Sequence, residues 1–403
     1  MIFARKTNMI NEKAYLLGGK SSVIRELFEY GKKRKNEIGD ENVFDFSIGN
    51  PSVPAPQAVT DELKRLIETT EPTKLHGYTS AAGDSGVRAA IADYHNKTFG
   101  THEKYNNIFL TAGAAASLTV SLNAILNAGE EVIVFSPYFP EYKVFVEKAG
   151  GILREVRCNA PDFQPDVNAL QNSVNEKTKA VIINSPNNPT GAVIPENTIK
   201  KIAEILKNKQ KQYGTQIFII ADEPYRELVY SDKKVSYIPL YYKNTLVCYS
   251  FSKSLSLPGE RIGYIAVGAD CEQQNDVFYA VCGAARELGF VCAPALFQYI
   301  IPECLGKTSD ISVYKQNRET LYGALTKIGY EAVYPDGAFY LFVKALEEDA
   351  AAFSQRAKKY ELLLVPSDDF GVKGYVRISY CVSPETVKNS IGAFEKLYND
   401  YNG

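Results

Sequence analysis

Tryptophan is absent from the 403 residues, methionine occurs twice and histidine three times. No histidine shares with a cysteine or acid the spacing of a ligand set, so no zinc site is expected. The seven cysteines, at positions 158, 248, 271, 282, 292, 304 and 381, are odd in number and form no CxxC pair. Several lie in apolar runs and read as small buried hydrophobes rather than as a disulfide framework. No apolar run approaches the roughly 18 residues that cross a bilayer, and the opening MIFARKTNMINEK lacks the apolar core of a secretory signal. A cytoplasmic protein with no membrane partner is expected. Charge of one sign is missing as well, the formal net charge being -2. The one basic cluster, KKRK at residues 32–35, closes an amphipathic segment, where cations suit a helix C-terminus. No basic stripe remains to bind nucleic acid. Without tryptophan, aromatic work in any site falls to 27 tyrosines and 20 phenylalanines.

The chain exceeds the size at which a single core usually stops growing, so two domains are expected. Helical patterning is read over residues 21–36 and 57–68, and a short strand over residues 43–48. Asp84 or Ser85 is the candidate cap of a further helix carrying Val87, Ala90, Ile91 and Tyr94 at helical spacing. From about residue 108, short apolar runs alternate with longer amphipathic ones: IFLTAG, EVIVF, GILREV, KAVIIN, IFIIAD, TLVCYS and IGYIAV. Runs of this length, rich in isoleucine and valine and separated by helices, mark strands buried on both faces of a mostly parallel sheet. The expected fold class is therefore α/β: a three-layer α/β/α large domain with a mostly parallel seven-stranded sheet, spanning residues 56–294. A smaller α+β domain is assigned to both chain ends, residues 1–55 and 295–403. There AFYLFV, ELLLV and YVRISY read as strands, and residues 384–398 as a final helix.

Several strand ends deliver small or polar residues, namely Gly113, Ser136, Asn184, Asp222 and Ser250. A shared crevice at strand C-termini needs such a set. The stretch YSFSKSLSLPGERIGYIAVG then places Lys253 among serines, with Arg261 eight residues on. Hydroxyls and an arginine suit a phosphate, and a lysine beside a phosphate suggests a Schiff-base cofactor. Taken alone, Lys253 reads equally well as a solvated loop lysine. TAGAAAS opens a helix with small residues, so that an anion can approach free N–H groups. Asp222, buried at a strand end, needs a cation or donors; it would hold a pyridine nitrogen protonated, or cap a helix. NNPTG sets Asn188 in a stiff turn. Arg377, in an apolar strand, wants a carboxylate, either an internal acid or that of a substrate.

Jointly these motifs resemble the fold-type-I, pyridoxal-phosphate-dependent aminotransferases of class I/II, the aspartate aminotransferase-like group. The resemblance rests on SxSKxxxxPGxRxGY at residues 250–264, on ADEPY and NNPTG in order, and on YxxxxGxxxxR at Tyr78, Gly83 and Arg88. It covers essentially the whole chain. It implies pyridoxal 5'-phosphate as cofactor, with Lys253 forming the Schiff base. Asp222 resembles the partner of the pyridine nitrogen, and Tyr225 and Asn188 the donors to the phenolic oxygen. Ser250, Arg261 and, less directly, Ser252 are similar to phosphate ligands, as is the turn Gly113, Ala114, Ala115. Arg377 resembles the clamp on the substrate α-carboxylate, and Gly49 a backbone contact on the substrate side. Tyr78 is similar to a tyrosine that reaches a neighbouring subunit's phosphate, which implies a homodimer. In two places the chain departs from the family. Tyr138 is the aromatic offered over the cofactor ring, in place of tryptophan, and Ala115 stands where relatives often carry a hydroxyl or amine.

The implied reaction moves the amino group of an L-amino acid to a 2-oxo acid such as 2-oxoglutarate, with aspartate the favoured donor. The alternatives are an aromatic- or alanine-type aminotransferase and a cofactor-dependent C–S β-lyase. A transcription factor built on this fold would require an additional DNA-binding domain. A dicarboxylate substrate would need a second cation, for which Arg25 and Arg286 are candidates. Each also reads as a surface helix residue paired with the adjacent Glu26 or Glu287.

Overall fold

A computed structural model describes residues 10–19 and 23–402. Its principal sheet has eight strands in the order Ile108–Thr111, Gly263–Val267, Thr245–Ser250, Phe218–Asp222, Thr178–Asn184, Glu131–Ser136, Ile152–Asn159 and Gln164–Pro165. The first seven are those expected from the apolar runs. The eighth is a two-residue antiparallel partner of Cys158 and Asn159. It carries a proline, which cannot donate to a further strand and so suits a sheet edge. Pairing is parallel from Thr245–Ser250 across to Ile152–Asn159. Gly263–Val267 runs antiparallel to both of its neighbours.

Alternation along these strands divides the apolar side chains between two faces. Ile133, Val181, Ile219, Val247 and Ala266 join one core; Val132, Val134, Ile182, Ile220 and Leu246 join the other. Helices Ser85–Phe99 and Glu196–Tyr213 cover the first face through Val87, Ile91, Ile199, Ile202 and Leu206. Ala114–Ile125 and Gln274–Leu288 cover the second through Leu118, Leu122, Phe278 and Val281. Three layers result because strands apolar on both faces leave neither face to water. Asp84 caps Ser85–Phe99, accepting from the N–H groups of Gly86 and Val87.

A four-stranded antiparallel sheet, in the order Ala332–Val333, Tyr340–Lys344, Tyr375–Ser379 and Val365–Pro366, forms the second unit. Helices Ser312–Ile328, Ala350–Ala357 and Pro384–Asn402 pack on it through Tyr314, Leu321, Phe353, Val387 and Phe394. The N-terminal segment returns here, as Phe44–Asp45 pairs with Leu362–Leu363 and Phe46 enters the core. ELLLV, expected as one strand, is two short ones that serve different sheets. Helix Ala295–Cys304, assigned by sequence to the smaller domain, instead seats Ile300, Ile301 and Cys304 in the core of the large sheet. The first long helix is described over Val23–Ile38 and ends two residues beyond the expected 36; positions 21 and 22, like 1–9 of the assigned N-terminal segment, lie outside the described residues. Among the described residues no helix is long and apolar enough to cross a membrane.

Candidate active site

Register brings the polar strand ends together. Asn184 is the parallel partner of Asp222, Asp222 of Cys248, and Gly263 lies opposite both Ser250 and Thr111. One edge of the sheet thus offers Thr111, Gly263, Ser250, Asp222 and Asn184 side by side. Above it lies a cavity of about 280 Å³. Its wall contains Gly49, Ala114, Ala115, Asn188, Asp222, Tyr225, Ser250, Ser252, Lys253, Arg261 and Arg377. These come from segments as far apart in sequence as Gly49 and Arg377.

At one end, Ser250 terminates its strand and caps the short helix Phe251–Ser254, its Oγ accepting from the N–H of Ser252 at 3.2 Å. The two serine hydroxyls are 2.7 Å apart. Gly113 precedes helix Ala114–Ile125 with φ of 83°. The positive φ favours glycine, and a Cβ there would stand 2.9 Å from Arg261 Nη2 and push the guanidinium aside. The Arg261 guanidinium donates to the carbonyls of Pro258 and Ala112 at 2.9 and 3.3 Å. Two hydroxyls, a guanidinium and the start of a helix make an anion cradle.

Lys253 projects from the short helix and donates from Nζ to the carbonyl oxygen of Gly49 at 2.6 Å. Burial lowers its pKa to about 8, and the positive charges of Arg261 and Arg377 act in the same direction. A substantial fraction of the amine is neutral near physiological pH, as a nucleophile or base requires.

Asp222 shows the opposite displacement. Burial raises its pKa to about 7, Glu223 adds to the rise, and a hydrogen bond from the Tyr142 hydroxyl to Oδ2, at 2.5 Å, opposes it. Its Oδ1 is buried and has no hydrogen-bond partner among the described residues. The Tyr225 hydroxyl meets that of Tyr340 at 2.8 Å. Arg377 donates to Asn188 Oδ1 at 3.2 Å and to the Ser47 carbonyl at 2.6 Å, and its guanidinium lies 4.7 Å from the Tyr340 ring centroid. Its Nε is buried without a partner, and it forms no ion pair among the described residues. Of the two partners open to Arg377, an internal acid is therefore not the one present.

The family model described as Aminotransferase class I and II matches residues 41–394. The chain belongs to this family. The aminotransferase is 33% identical over 379 residues to a probable aspartate/prephenate aminotransferase of Aquifex aeolicus, covering 89% of this chain and 92% of that one. It is 28% identical over 388 residues to a probable aspartate aminotransferase of Methanocaldococcus jannaschii, covering 94% and 97%. Among solved structures, an amino transferase from Eubacterium rectale superposes with a TM-score of 0.96 at 55% identity, over 98% of this chain and 100% of that one. Aspartate aminotransferase from Thermus thermophilus with maleate gives 0.85 at 25%, over 97% and 100%.

Membership of this family implies pyridoxal 5'-phosphate, and the residues of the cavity fit that group. The anion cradle suits its phosphate, the unpartnered Oδ1 of Asp222 suits a ring N–H, and the Lys253 amine suits its aldehyde.

One expected contributor to this cavity lies elsewhere, and another, Tyr78, was expected to serve a neighbouring subunit rather than this one. Tyr138 does not face the cavity; its hydroxyl donates to Glu155 at 2.8 Å, and Phe139, the next residue, lines the wall instead. Tyr78 is 98% exposed and takes no part in this chain's own cavity. Its motif companions serve the fold: a Cβ on Gly83 would meet the Leu110 side chain at 2.5 Å, and buried Arg88 donates to the Ile108 carbonyl at 2.7 Å. Arg25 and Arg286 are exposed and absent from the wall. Sequence reasoning missed Tyr340, Phe139, Tyr142, Ile24 and Ile48. For Tyr340 the available signal was a hydroxyl in AFYLFV, two residues from Phe342, which pairs with Arg377.

Proposed function

We propose that this aminotransferase uses pyridoxal 5'-phosphate to carry the amino group of an L-amino acid, with aspartate favoured, to a 2-oxo acid such as 2-oxoglutarate. The observation that carries this reading is the cavity itself. It joins a lysine amine displaced toward neutrality, an unpartnered buried carboxylate oxygen and an arginine without an acid. Bound there, the cofactor supplies an electron sink that acidifies the Cα–H of the amino acid attached to it. Ser250, Ser252, Arg261 and the backbone around Gly113, Ala114 and Ala115 hold the phosphate. Phe139 covers the ring face, Asp222 keeps a proton on the ring nitrogen, and Tyr225 and Asn188 address the phenolic oxygen. Lys253 would hold the cofactor's aldehyde through Nζ, and its amine would take the substrate Cα proton as general base. Arg377, with the Gly49 backbone, orients the substrate α-carboxylate.

Aspartate is supported by the names of the relatives. An apolar or aromatic donor is favoured by a different observation. Ile24, Ile48, Phe139 and Tyr340 line the cavity, and among the described residues its only lysine or arginine residues are Lys253, Arg261 and Arg377. A side-chain carboxylate would then find its cation on a second subunit. Such a homodimer is part of this reading, with Tyr78 serving the partner's phosphate. The fully exposed Tyr78, and the helix Glu12–Gly19 with exposed Tyr15, Leu16 and Leu17, support it. A cytoplasmic location is supported by seven cysteines that remain unpaired thiols.

Single-turnover spectroscopy with individual amino acids tests these readings. Conversion of the cofactor to its amine form by aspartate and glutamate, without release of pyruvate or ammonia, is expected. Faster conversion by phenylalanine or tyrosine would replace aspartate with an aromatic donor. Pyruvate and ammonia from cystathionine, independent of any oxo acid, would overturn transamination in favour of β-lysis. Lys253→Ala is expected to abolish turnover; appreciable residual transamination would refute the role of the lysine.

A further inference from the structure

Behind the cavity wall one polar side chain touches a site residue from an otherwise apolar core. Tyr142, on helix Glu141–Lys148, is buried within the cluster that includes Leu118, Val134, Ile182 and Ile220. Its hydroxyl donates to Asp222 Oδ2 at 2.5 Å. The ring is held on two sides. Phe139 stands edge-on to it at 5.6 Å and 87°, and Tyr138 lies nearly parallel at 6.4 Å and 15°. Tyr138 is itself tied down, through its hydroxyl to Glu155 and through its N–H to the carbonyl of Phe370 at 3.0 Å. The hydroxyl of Tyr142 is therefore delivered to one place.

The backbone of Asp222 is equally fixed. It is paired in parallel on both sides, and its carbonyl accepts from Asn184 Nδ2 at 2.9 Å. What remains to the residue is rotation of its carboxyl group. A bond to Oδ2 removes that freedom and leaves Oδ1, without a partner among the described residues, as the oxygen offered to a ligand.

We infer that Tyr142 is a positioning residue for the cofactor's ring nitrogen, acting through Asp222 by fixing which carboxylate oxygen faces the nitrogen and by favouring the ionised form of that carboxylate. The inference rests on the cofactor site proposed above. Its chemical basis is simple. A donor to a carboxylate stabilises the charge, and a fixed, charged acceptor is a stronger partner for a protonated ring nitrogen than a rotating or neutral one. Burial works against that charge at Asp222, and Glu223 beside it does the same. Tyr142 is the side chain that opposes them. The dual role of the aromatic segment follows: Phe139 meets the cavity directly, while Tyr142, three residues later on the same turn, supports it from behind.

The test compares two ligands that differ at the ring nitrogen, pyridoxamine 5'-phosphate and its 1-deaza analogue, in which carbon replaces that nitrogen. Their equilibrium affinities are measured on the full-length protein after removal of cofactor. Tyr142→Phe is expected to weaken pyridoxamine 5'-phosphate about ten-fold, the size of one hydrogen bond to a charged group, and the analogue less than about two-fold. Equal weakening of both ligands, or of neither, would overturn the inference, because a merely structural tyrosine does not distinguish them. In an Asp222→Asn background the same substitution is expected to change neither affinity, and an additive loss would count against action through Asp222. If Tyr142→Phe does not accumulate as folded protein, Tyr142→His, which keeps a donor, is expected to preserve the preference for the nitrogen-containing ligand. Loss of that preference in the histidine variant would be contrary evidence. Failure of the unsubstituted protein to bind either ligand would instead remove the cofactor site itself, and this inference with it.

Discussion

Asp222 holds a carboxyl group in a fully buried strand end, with its pKa raised to about 7. Because the native value lies above the unfolded one, near 4, the native state binds more protons between these limits. Stability that is fully present below pH 4 is then lost as pH rises through 7. Asp222→Asn removes this dependence. In cofactor-free protein the variant is expected to gain about 1 kcal/mol over the parent at pH 5 and about 2–4 kcal/mol at pH 8. Urea unfolding at the two pH values measures the difference, and a gain independent of pH would contradict the assignment of cause. The tension is one that functional groups carry, since a carboxylate suited to a cationic ligand is poorly solvated without it.

At the scale of elements, the site is a consequence of register. Parallel pairing sets Asn184 beside Asp222, and antiparallel pairing turns Gly263–Val267 so that its first residue meets Ser250. Helix Ala114–Ile125 then starts over the same edge through Gly113, which has both a positive φ and a guanidinium where its Cβ would stand. Gly113→Ala is expected to displace Arg261 and strain the turn, at a cost of about 1–2 kcal/mol in stability. It should weaken cofactor binding at least about ten-fold, because the phosphate contact suffers as well. Thermal unfolding and cofactor titration report the two effects. A variant with normal affinity would show that Arg261 does not need this approach. The alternating strand pattern made most of this layout legible, since buried β-runs and their polar ends can be read without knowing their partners. The break in ELLLV was not legible, because each half satisfies a different sheet and local propensity carries no record of which sheet that is.

For the whole molecule, the proposed dimer makes a quantitative prediction. Tyr78→Ala and Lys253→Ala are each expected to be inactive or nearly so, because each removes one contribution to every site of a symmetric pair. Mixed dimers would contain one site with both residues intact, so refolding an equal mixture should recover about a quarter of the parent activity, as isologous pairing requires. No recovery, with mixed dimers verified by tagged subunits, would place Tyr78 outside the shared site. The exposed aromatic is the reason to look there: among the described residues, Tyr78 is 98% exposed with nothing packed on it that accounts for a tyrosine, whereas Gly83 and Arg88 from the same motif are explained by Leu110 and the Ile108 carbonyl.

The sequence by itself determined the α/β class, the family and the cluster of Lys253, Asp222, Ser250 and Arg261, because buried-strand periodicity and motif spacing are local properties of the chain. Only the tertiary structure decided the rest. Phe139 rather than Tyr138 lines the cavity because the direction of a side chain on a short turn is set by what packs behind it, here Glu155 and Tyr142. Tyr340 joins the site from more than a hundred residues beyond Tyr225. Among the described residues Arg377 lacks an internal acid, a fact that spacing cannot reveal because any carboxylate in the chain was a potential partner. Helix Ala295–Cys304 joined the larger core for the same reason. An amphipathic pattern specifies that a face will be buried, and long-range packing selects the surface that buries it.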